Sequence, residues 1–417
     1  MIYTQSFGMT SSDNYFAAVH GDDELPDVYL GRLPANTLQD ADIMVDKIIA
    51  YETKETAASW RRNVTLASGN GEFFGQAAQH LVENHLPKWL ETKRLSTEHM
   101  SPYFNTTEDF INWINDGQNI INFLVHGGGE QISDADLFDK EDMLRLNPTE
   151  RYAFAVTMSC YIGHFDNAEK SSLGEALLTV PDKGLMGFFG SAGKSYRYAD
   201  FHFNNSFFDG IFKKNLRTLG EITTHAKYDL IAKTLGFWEP VQNFLLLGDP
   251  ASRLLLPEDT IELNLSKRVL APGDELVVSG TIPEIPNGRL SLAVLSATDS
   301  ILADQQVQLN NGAFHVKLFT LTPHMRQKWG KFGGIGTVRA HVTDNTNHAV
   351  GSANFSVVRP LVSRFEPQPL QPVGFEPVHF IVEISPDVAA QVGGIQNVVV
   401  QWNADGAWTL LPLTKQS

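Results

Sequence analysis

One histidine and one cysteine offer this sequence its clearest chemistry. His126 ends an apolar run, 120–125, and precedes three glycines, Gly127, Gly128 and Gly129; Cys160 follows a second apolar run, 153–158, after Ser159. A thiol needs a base or a cation to become a thiolate near neutral pH, and an imidazole supplies either. Glycines beside the histidine let a substrate carbonyl approach the backbone closely. Their amide N–H groups, with that of Cys160, are donors suited to a developing oxyanion. The competing explanation is structural: a small buried thiol and a turn histidine beside a glycine loop.

The elements that must position these residues decide between the two. Through residue 258, strand-like and helix-like patterns alternate. Short apolar strands are expected near 28–30, 64–67, 120–125, 153–158, 185–189 and 244–247. Helical spacing is expected over 38–52, 76–90, 107–115, 171–179, 201–214 and 219–233. Thr106-Thr-Glu-Asp109 is close to a capping box at the head of the third helix. Alternation of this kind, with unbroken apolar strands, implies an α/β layer around a mainly parallel sheet. Ligands of such sheets bind at the carboxyl ends of the strands. Right-handed crossovers put successive strands side by side. His126 and Cys160 are therefore expected at the same rim, on neighbouring strands.

The 417 residues allow two to four domains at about 100–200 residues each. With 42% hydrophobic and 19% charged residues, the chain has globular composition and enough apolar side chains for a sizeable core. Its net charge of −16 argues against nucleic acid and anionic membranes as partners, since both need a basic face. No run approaches the ~20 apolar residues of a membrane span. One cysteine excludes an intramolecular disulfide and a cysteine-based zinc cluster. Residues 1–8 lack the basic and apolar regions of a signal peptide.

After residue 257 the helical spacing fades. Alternating strands near 275–279, 289–295, 314–319, 337–342 and 353–357 suggest an immunoglobulin-like β-sandwich over 259–358. The polar segment 322–334 interrupts it. A proline-rich link then leads into 359–417, expected as a partial third β domain with a hairpin signal at Asp405-Gly406.

Several segments carry a family resemblance. They are Ser12-Asp-Asn-Tyr15, Leu25-Pro-Asp-Val-Tyr-Leu-Gly-Arg-Leu-Pro34, Val125-His-Gly-Gly128, Ser159-Cys-Tyr-Ile-Gly-His-Phe165, Ser172-Leu-Gly-Glu-Ala-Leu177 and Leu247-Gly-Asp-Pro250. In order and spacing they resemble the gingipain family of cysteine peptidases across about residues 10–256. The resemblance implies a caspase-like fold, Cys160 as nucleophile and His126 as general base and acid. It also implies oxyanion donors at the Gly127 and Cys160 backbones, protein or peptide substrates, and a secreted or cell-surface bacterial protein.

Two departures qualify it. Phe74, in Gly71-Glu-Phe-Phe-Gly75, stands near the acidic specificity residue of the Arg-cleaving members. Leu124 and Met158, two residues before the histidine and cysteine, should line the same pocket, and Tyr196 should supply its aromatic wall. An apolar pocket does not solvate a guanidinium, so strict Arg/Lys specificity is not expected. Glu72 is the one nearby residue able to reverse that. The second departure is that few residues precede Ser12, which reads as part of a longer precursor. The alternatives are a transpeptidase or sortase with an amine acceptor, and an inactive adhesion or anchoring module.

Other signals are weaker. His126-Gly-Gly-Gly129 resembles a lipase oxyanion loop, but the Ser191 elbow has Phe189 in place of its first glycine. Gly193-Lys-Ser195 lacks the leading glycine of a phosphate loop. Asp22, Asp23 and Asp27 form an acidic turn with oxygen ligands suited to a structural Ca²⁺; no cofactor is otherwise expected. His80 and His85 are set aside as surface residues, His164 as a loop residue, and Glu130 as too weak a partner for His126.

Overall fold

The computed structural model describes residues 5–7 and 10–357, apart from 133, 148, 168, 235, 271–273, 297–298 and 322–333, and four strands between 362 and 413. The chain divides into two compact units, residues 1–259 with 343–349, and 260–342 with 350–417.

The first unit is built on six strands: β1 (Asn63–Ser68), β2 (Glu91–Ser96), β3 (Ile120–Leu124), β4 (Ala153–Met158), β5 (Leu185–Ser191) and β6 (Phe244–Leu247). Their order is β6-β5-β4-β3-β1-β2. The first five are parallel, and β6 runs antiparallel to β5 at the edge. Every residue of β3, β4, β5 and β6 is buried. Helices cover both faces, which is why these strands read as continuous apolar runs. On one face α2 (Glu72–Asn84), α5 (Arg197–Phe212) and α6 (Leu219–Thr234) bury Phe74, Phe203, Phe207 and Ile222. On the other, α3 (Thr107–Asp116) and α4 (Leu173–Thr179) bury Phe110, Ile111 and Leu177, with Met44 of α1 (Leu38–Thr53). This is the caspase-like α/β arrangement expected from the sequence.

Local chemistry fixes the helix starts. Thr37 with Asp40, Thr106 with Asp109 and Ser172 with Glu175 form reciprocal capping boxes ahead of α1, α3 and α4. Phenylalanines weld α5 to the sheet: Phe207 stacks on Phe154 at 5.8 Å, and Phe203 on Phe244 at 4.5 Å. Full burial of each such ring is worth about 1.5–3 kcal/mol.

Two expectations fail here. Residues 28–30 form no strand; Arg32 makes only an isolated bridge to Leu247. β2 was not anticipated. Its sequence, Glu-Thr-Lys-Arg-Leu-Ser, is polar because it is an edge strand with its first four residues only half-buried.

The amino-terminal segment is clamped onto the same unit. Ser12 Oγ donates to Gln242 O at 2.8 Å. Arg32 grips Asp13 through Nε at 2.7 Å and Nη2 at 2.6 Å, and lies 4.4 Å above the Phe165 ring. Buried Lys227 donates to Asn14 Oδ1 at 3.0 Å. Residues 19–24 between these anchors are exposed.

In the second unit, Glu275–Thr281 and Ala313–Thr320 pair antiparallel, with Asn264–Leu265 alongside. A larger sheet contains Arg289–Leu295, Ile301–Gln308, Gly334–Thr343 and His348–Val357. Phe319 and Phe355, one from each sheet, approach to 6.2 Å. Beyond them, Val362–Gln368 pairs with His379–Ile384, and Val398–Ala404 with Ala407–Leu413. The last pair brackets the expected hairpin at 405–406. That turn, the segment 322–333 and most of the proline-rich link lie outside the described residues.

Candidate active site

The strand order reverses between β1 and β3, which makes their carboxyl ends the switch point of the sheet. The last rung between β3 and β4 pairs Leu124 with Met158. His126 and Cys160 therefore each stand two residues beyond the same rung. Val125 and Ser159 are buried, His126 is exposed and Cys160 half-buried.

Gly127 brings the two loops together. A Cβ there would lie 2.7 Å from the Cys160 carbonyl oxygen and 2.6 Å from Ile162 Cγ1, and would overlap Ser159 Oγ. Among the described residues, the Gly127 and Cys160 amide N–H groups take no part in the backbone hydrogen bonds of the turns and loops.

Each side of the pair has its own support. Asp134, which sequence reasoning missed, is buried; its carboxylate accepts the His126 N–H and, at 3.1 Å, the Asn70 N–H. It fills the space against Gly69, whose N–H donates to Leu124 O at 2.9 Å. The loops after β1 and β3 are thus tied through one carboxylate. The His126 ring meets Phe74 edge-on, with centroids 4.9 Å apart.

Across the groove, the Ser195 N–H points at Cys160 Sγ from 3.4 Å and the Ser195 Oγ lies 3.6 Å from it. Ser195 Oγ donates in turn to Asp200 Oδ2 at 2.9 Å. Burial pushes the Asp200 carboxyl up to about 7, against the Ser195 hydroxyl and the Tyr196 backbone, which favour the charged form. Tyr161, directly after the cysteine, has φ of +63°. A non-glycine residue held there costs about 1–3 kcal/mol. It is secured by its N–H donating to Gly193 O at 2.9 Å and by the Gly163 N–H donating to Ser191 O at 3.0 Å.

Comparison with known proteins places the chain in a family. The family model of peptidase family C25 matches residues 1–255. The chain belongs to peptidase family C25. Lys-gingipain W83 of Porphyromonas gingivalis is 22% identical over 195 residues, 46% of this chain and 11% of that protein. Lys-gingipain HG66 of the same organism is 21% identical over the same length. This chain spans about a tenth of the length of those curated relatives. The crystal structure of the Arg-specific cysteine proteinase gingipain R matches with a TM-score of 0.53 at 16% identity, covering 85% of this chain and 80% of that one. The complex of pro- and mature domains from Porphyromonas gingivalis gives 0.53 at 15% identity, covering 85% and 82%. These structures share the fold, and the gingipain resemblance of the sequence is borne out.

In this C25 chain three of the expected pocket residues sit in the hydrophobic core. Phe74, Leu124 and Met158 belong to one hydrophobic cluster, at 6%, 2% and 1% exposure. Tyr196 packs against that cluster, and its hydroxyl donates to Glu239 at 2.9 Å. Glu72 is exposed, its carboxylate taken by Gln76 at 2.6 Å. An open cleft of about 350 Å³ lies at the carboxyl ends of β1 and β2, lined by Ser68, Gly71, Glu72, Gly75, Arg94 and Tyr103 among others.

The remaining candidates are otherwise engaged. Glu130 is exposed and paired with Lys140 at 3.1 Å. His164 lies 3.7 Å from Asp166. Asp27 accepts the Val19 and His20 N–H groups, both at 2.8 Å, and Asp23 accepts the Leu25 N–H at 2.9 Å. No group of three or more histidine, cysteine, aspartate or glutamate residues is arranged to hold a metal ion among the described residues. His80 and His85 are not surface residues. α2 ends at Asn84, and the non-helical His85 turns back so that the two Nε2 atoms lie 3.3 Å apart, with His85 Nδ1 2.6 Å from Asp209. No helix among the described residues is long and apolar enough to cross a membrane.

Proposed function

We propose that this chain is a cysteine endopeptidase acting on protein or peptide substrates, with Cys160 as nucleophile and His126 as general base and acid. The observation that carries the reading is the seating of Gly127 against Cys160, which holds the two loop ends together beyond one shared rung.

The chemistry follows from the arrangement. The Cys160 thiolate attacks the scissile carbonyl carbon, and the amide N–H groups of Gly127 and Cys160 receive the oxyanion. His126 protonates the departing amine, leaving a thioester on Cys160. A water molecule, giving its proton to His126, then attacks the thioester and releases the new carboxylate. Asp134 accepts the His126 backbone N–H. It positions the His126 backbone, so the pair works as a dyad. Phe74, Leu124 and Met158 are apolar and supply no counter-charge to a guanidinium or ammonium, which supports a preference for uncharged P1 side chains.

The test is labelling with a peptidyl electrophile and cleavage of a protein substrate by the intact chain, Cys160→Ala and His126→Ala. The intact chain should label at Cys160 and cleave. Cys160→Ala should do neither, and His126→Ala should lose about 10²–10⁴ in rate. Cleavage surviving in Cys160→Ala would end the reading, and joined peptides in place of free carboxylates would make the enzyme a transpeptidase.

A further inference from the structure

The dyad leaves one group near the sulfur unused. Asp200 lies in the first turn of α5, 8% exposed, and its Oδ1 has no hydrogen-bond partner among the described residues. A carboxyl kept only to brace the helix would have both oxygens satisfied or wet. The N-cap of α5 is Tyr196, whose own side chain makes no cap.

We propose that Asp200 is a positioning residue for the nucleophile: through the Ser195 hydroxyl it sets which way a proton points at Cys160 Sγ. This rests on Cys160 being the nucleophile. The three atoms form a chain, Sγ to Ser195 Oγ at 3.6 Å and Ser195 Oγ to Asp200 Oδ2 at 2.9 Å. Ser195 has one hydroxyl proton and cannot donate both ways.

With Asp200 ionised, that proton is spent on Oδ2. The Ser195 hydroxyl then turns an oxygen lone pair to the sulfur, which suits the S–H form, as does the Ser195 carbonyl oxygen at 3.8 Å. With Asp200 protonated, its own O–H donates to Ser195 Oγ, and the serine proton turns to the sulfur, which suits the thiolate. The two states interconvert with balanced charge. The Cys160 S–H bond breaks and its proton goes to Ser195 Oγ, while the serine proton passes to Asp200 Oδ2. Thiol plus carboxylate becomes thiolate plus carboxylic acid. The Ser195 N–H faces the sulfur at 3.4 Å in either state.

Burial favours the neutral carboxyl, and no charged group among the described residues offsets it. The other ionisable groups around the thiol are His126 on the adjoining loop, Tyr161, and Tyr196. The Tyr196 hydroxyl is bound to Glu239, and its ring lies 5.4 Å from Lys194 Nζ.

The experiment is the pH profile of Cys160 alkylation by iodoacetamide in the full chain, for the wild type, Asp200→Asn, Ser195→Ala and the double variant. Asp200→Asn fixes a neutral, isosteric donor. It should lower the apparent thiol pKa by about one unit, raising the rate about tenfold between about pH 7, where wild-type Asp200 has ionised, and that pKa, and leaving it unchanged at pH 6, where Asp200 already holds its proton. Ser195→Ala should slow alkylation at pH 6 about tenfold and change it less than about twofold at pH 9, and in its background Asp200→Asn should add nothing. An unmoved or raised profile in Asp200→Asn overturns the proposal, as does a shift that persists without Ser195. If Asp200→Asn does not fold, the pH-selective loss in Ser195→Ala decides alone, and an equal loss at both pH values overturns the proposal. Peptide cleavage by Cys160→Ala, measured in parallel, reports on the peptidase reading separately.

Discussion

The carbonyl oxygen of Cys160 stands 2.7 Å from where a side chain on Gly127 would begin. Alanine at 127 must push the two loops apart. Gly127→Ala should cost about 1–3 kcal/mol by overpacking. A displacement near 1 Å between the reacting groups should lower kcat/KM about a hundredfold. Thermal melting and peptide hydrolysis read the two effects. Wild-type hydrolysis by Gly127→Ala would mean that the close fit does not set the geometry.

Asp134 joins two loops with one carboxylate. Asp134→Ala leaves two backbone N–H groups without their acceptor, at about 1–3 kcal/mol for each. Asp134→Asn keeps one acceptor oxygen and should lose roughly half as much. Urea unfolding of the pair checks this, and equal stability of Asp134→Ala and the wild type would dismiss the tie.

The strand ends were legible in the sequence because β3, β4 and β5 are buried on both faces and so are apolar at every position. The apolar runs of β3 and β4 stop just short of His126 and Cys160, which marked both residues without any three-dimensional information. The supporting shell was not legible. Asp134 lies after β3, and Ser195 and Asp200 lie after β5, so the groups come from two separate stretches of chain, and a serine five residues before an aspartate has no periodic signature. β2 was missed for the opposite reason: as an edge strand it is polar. The His80–His85 contact depends on α2 ending at Asn84, a boundary the spacing placed near residue 90.

The proposed preference for uncharged P1 side chains rests on the apolar character of Phe74, Leu124 and Met158. Matched peptides differing only at P1 should be cleaved at least about tenfold faster with an apolar residue than with lysine or arginine, the cost of an unpaired charge exceeding 1.4 kcal/mol. Glu72→Gln should leave that ratio unchanged. A strict basic preference in kcat/KM, abolished by Glu72→Gln, would show that Glu72 reaches the P1 side chain.

Two buried groups should bend the stability curve in opposite directions. Asp200 holds its proton up to about pH 7, whereas an unfolded aspartate releases it near 4. Between those values the folded state binds more protons, so stability falls as pH rises, by up to roughly 4 kcal/mol. Lys47 donates to the Leu177 and Leu178 carbonyls from a buried position, and burial lowers its pKa to about 7. Between about 7 and 10.4 the unfolded chain binds more protons, so this group makes stability rise with pH. Denaturant titrations across pH should show Asp200→Asn flattening the acid side and Lys47→Met the alkaline side. An acid limb unchanged in Asp200→Asn would mean that Asp200 ionises normally.

Asp13 with Arg32, Asn14 with Lys227 and Ser12 with Gln242 all join the two sides of the exposed stretch 19–24. A proteolytic nick inside that stretch would therefore yield two polypeptides that stay associated. The shorter one would remain docked like a non-covalent subunit, and Arg32 would keep its seat over Phe165, five residues past the cysteine.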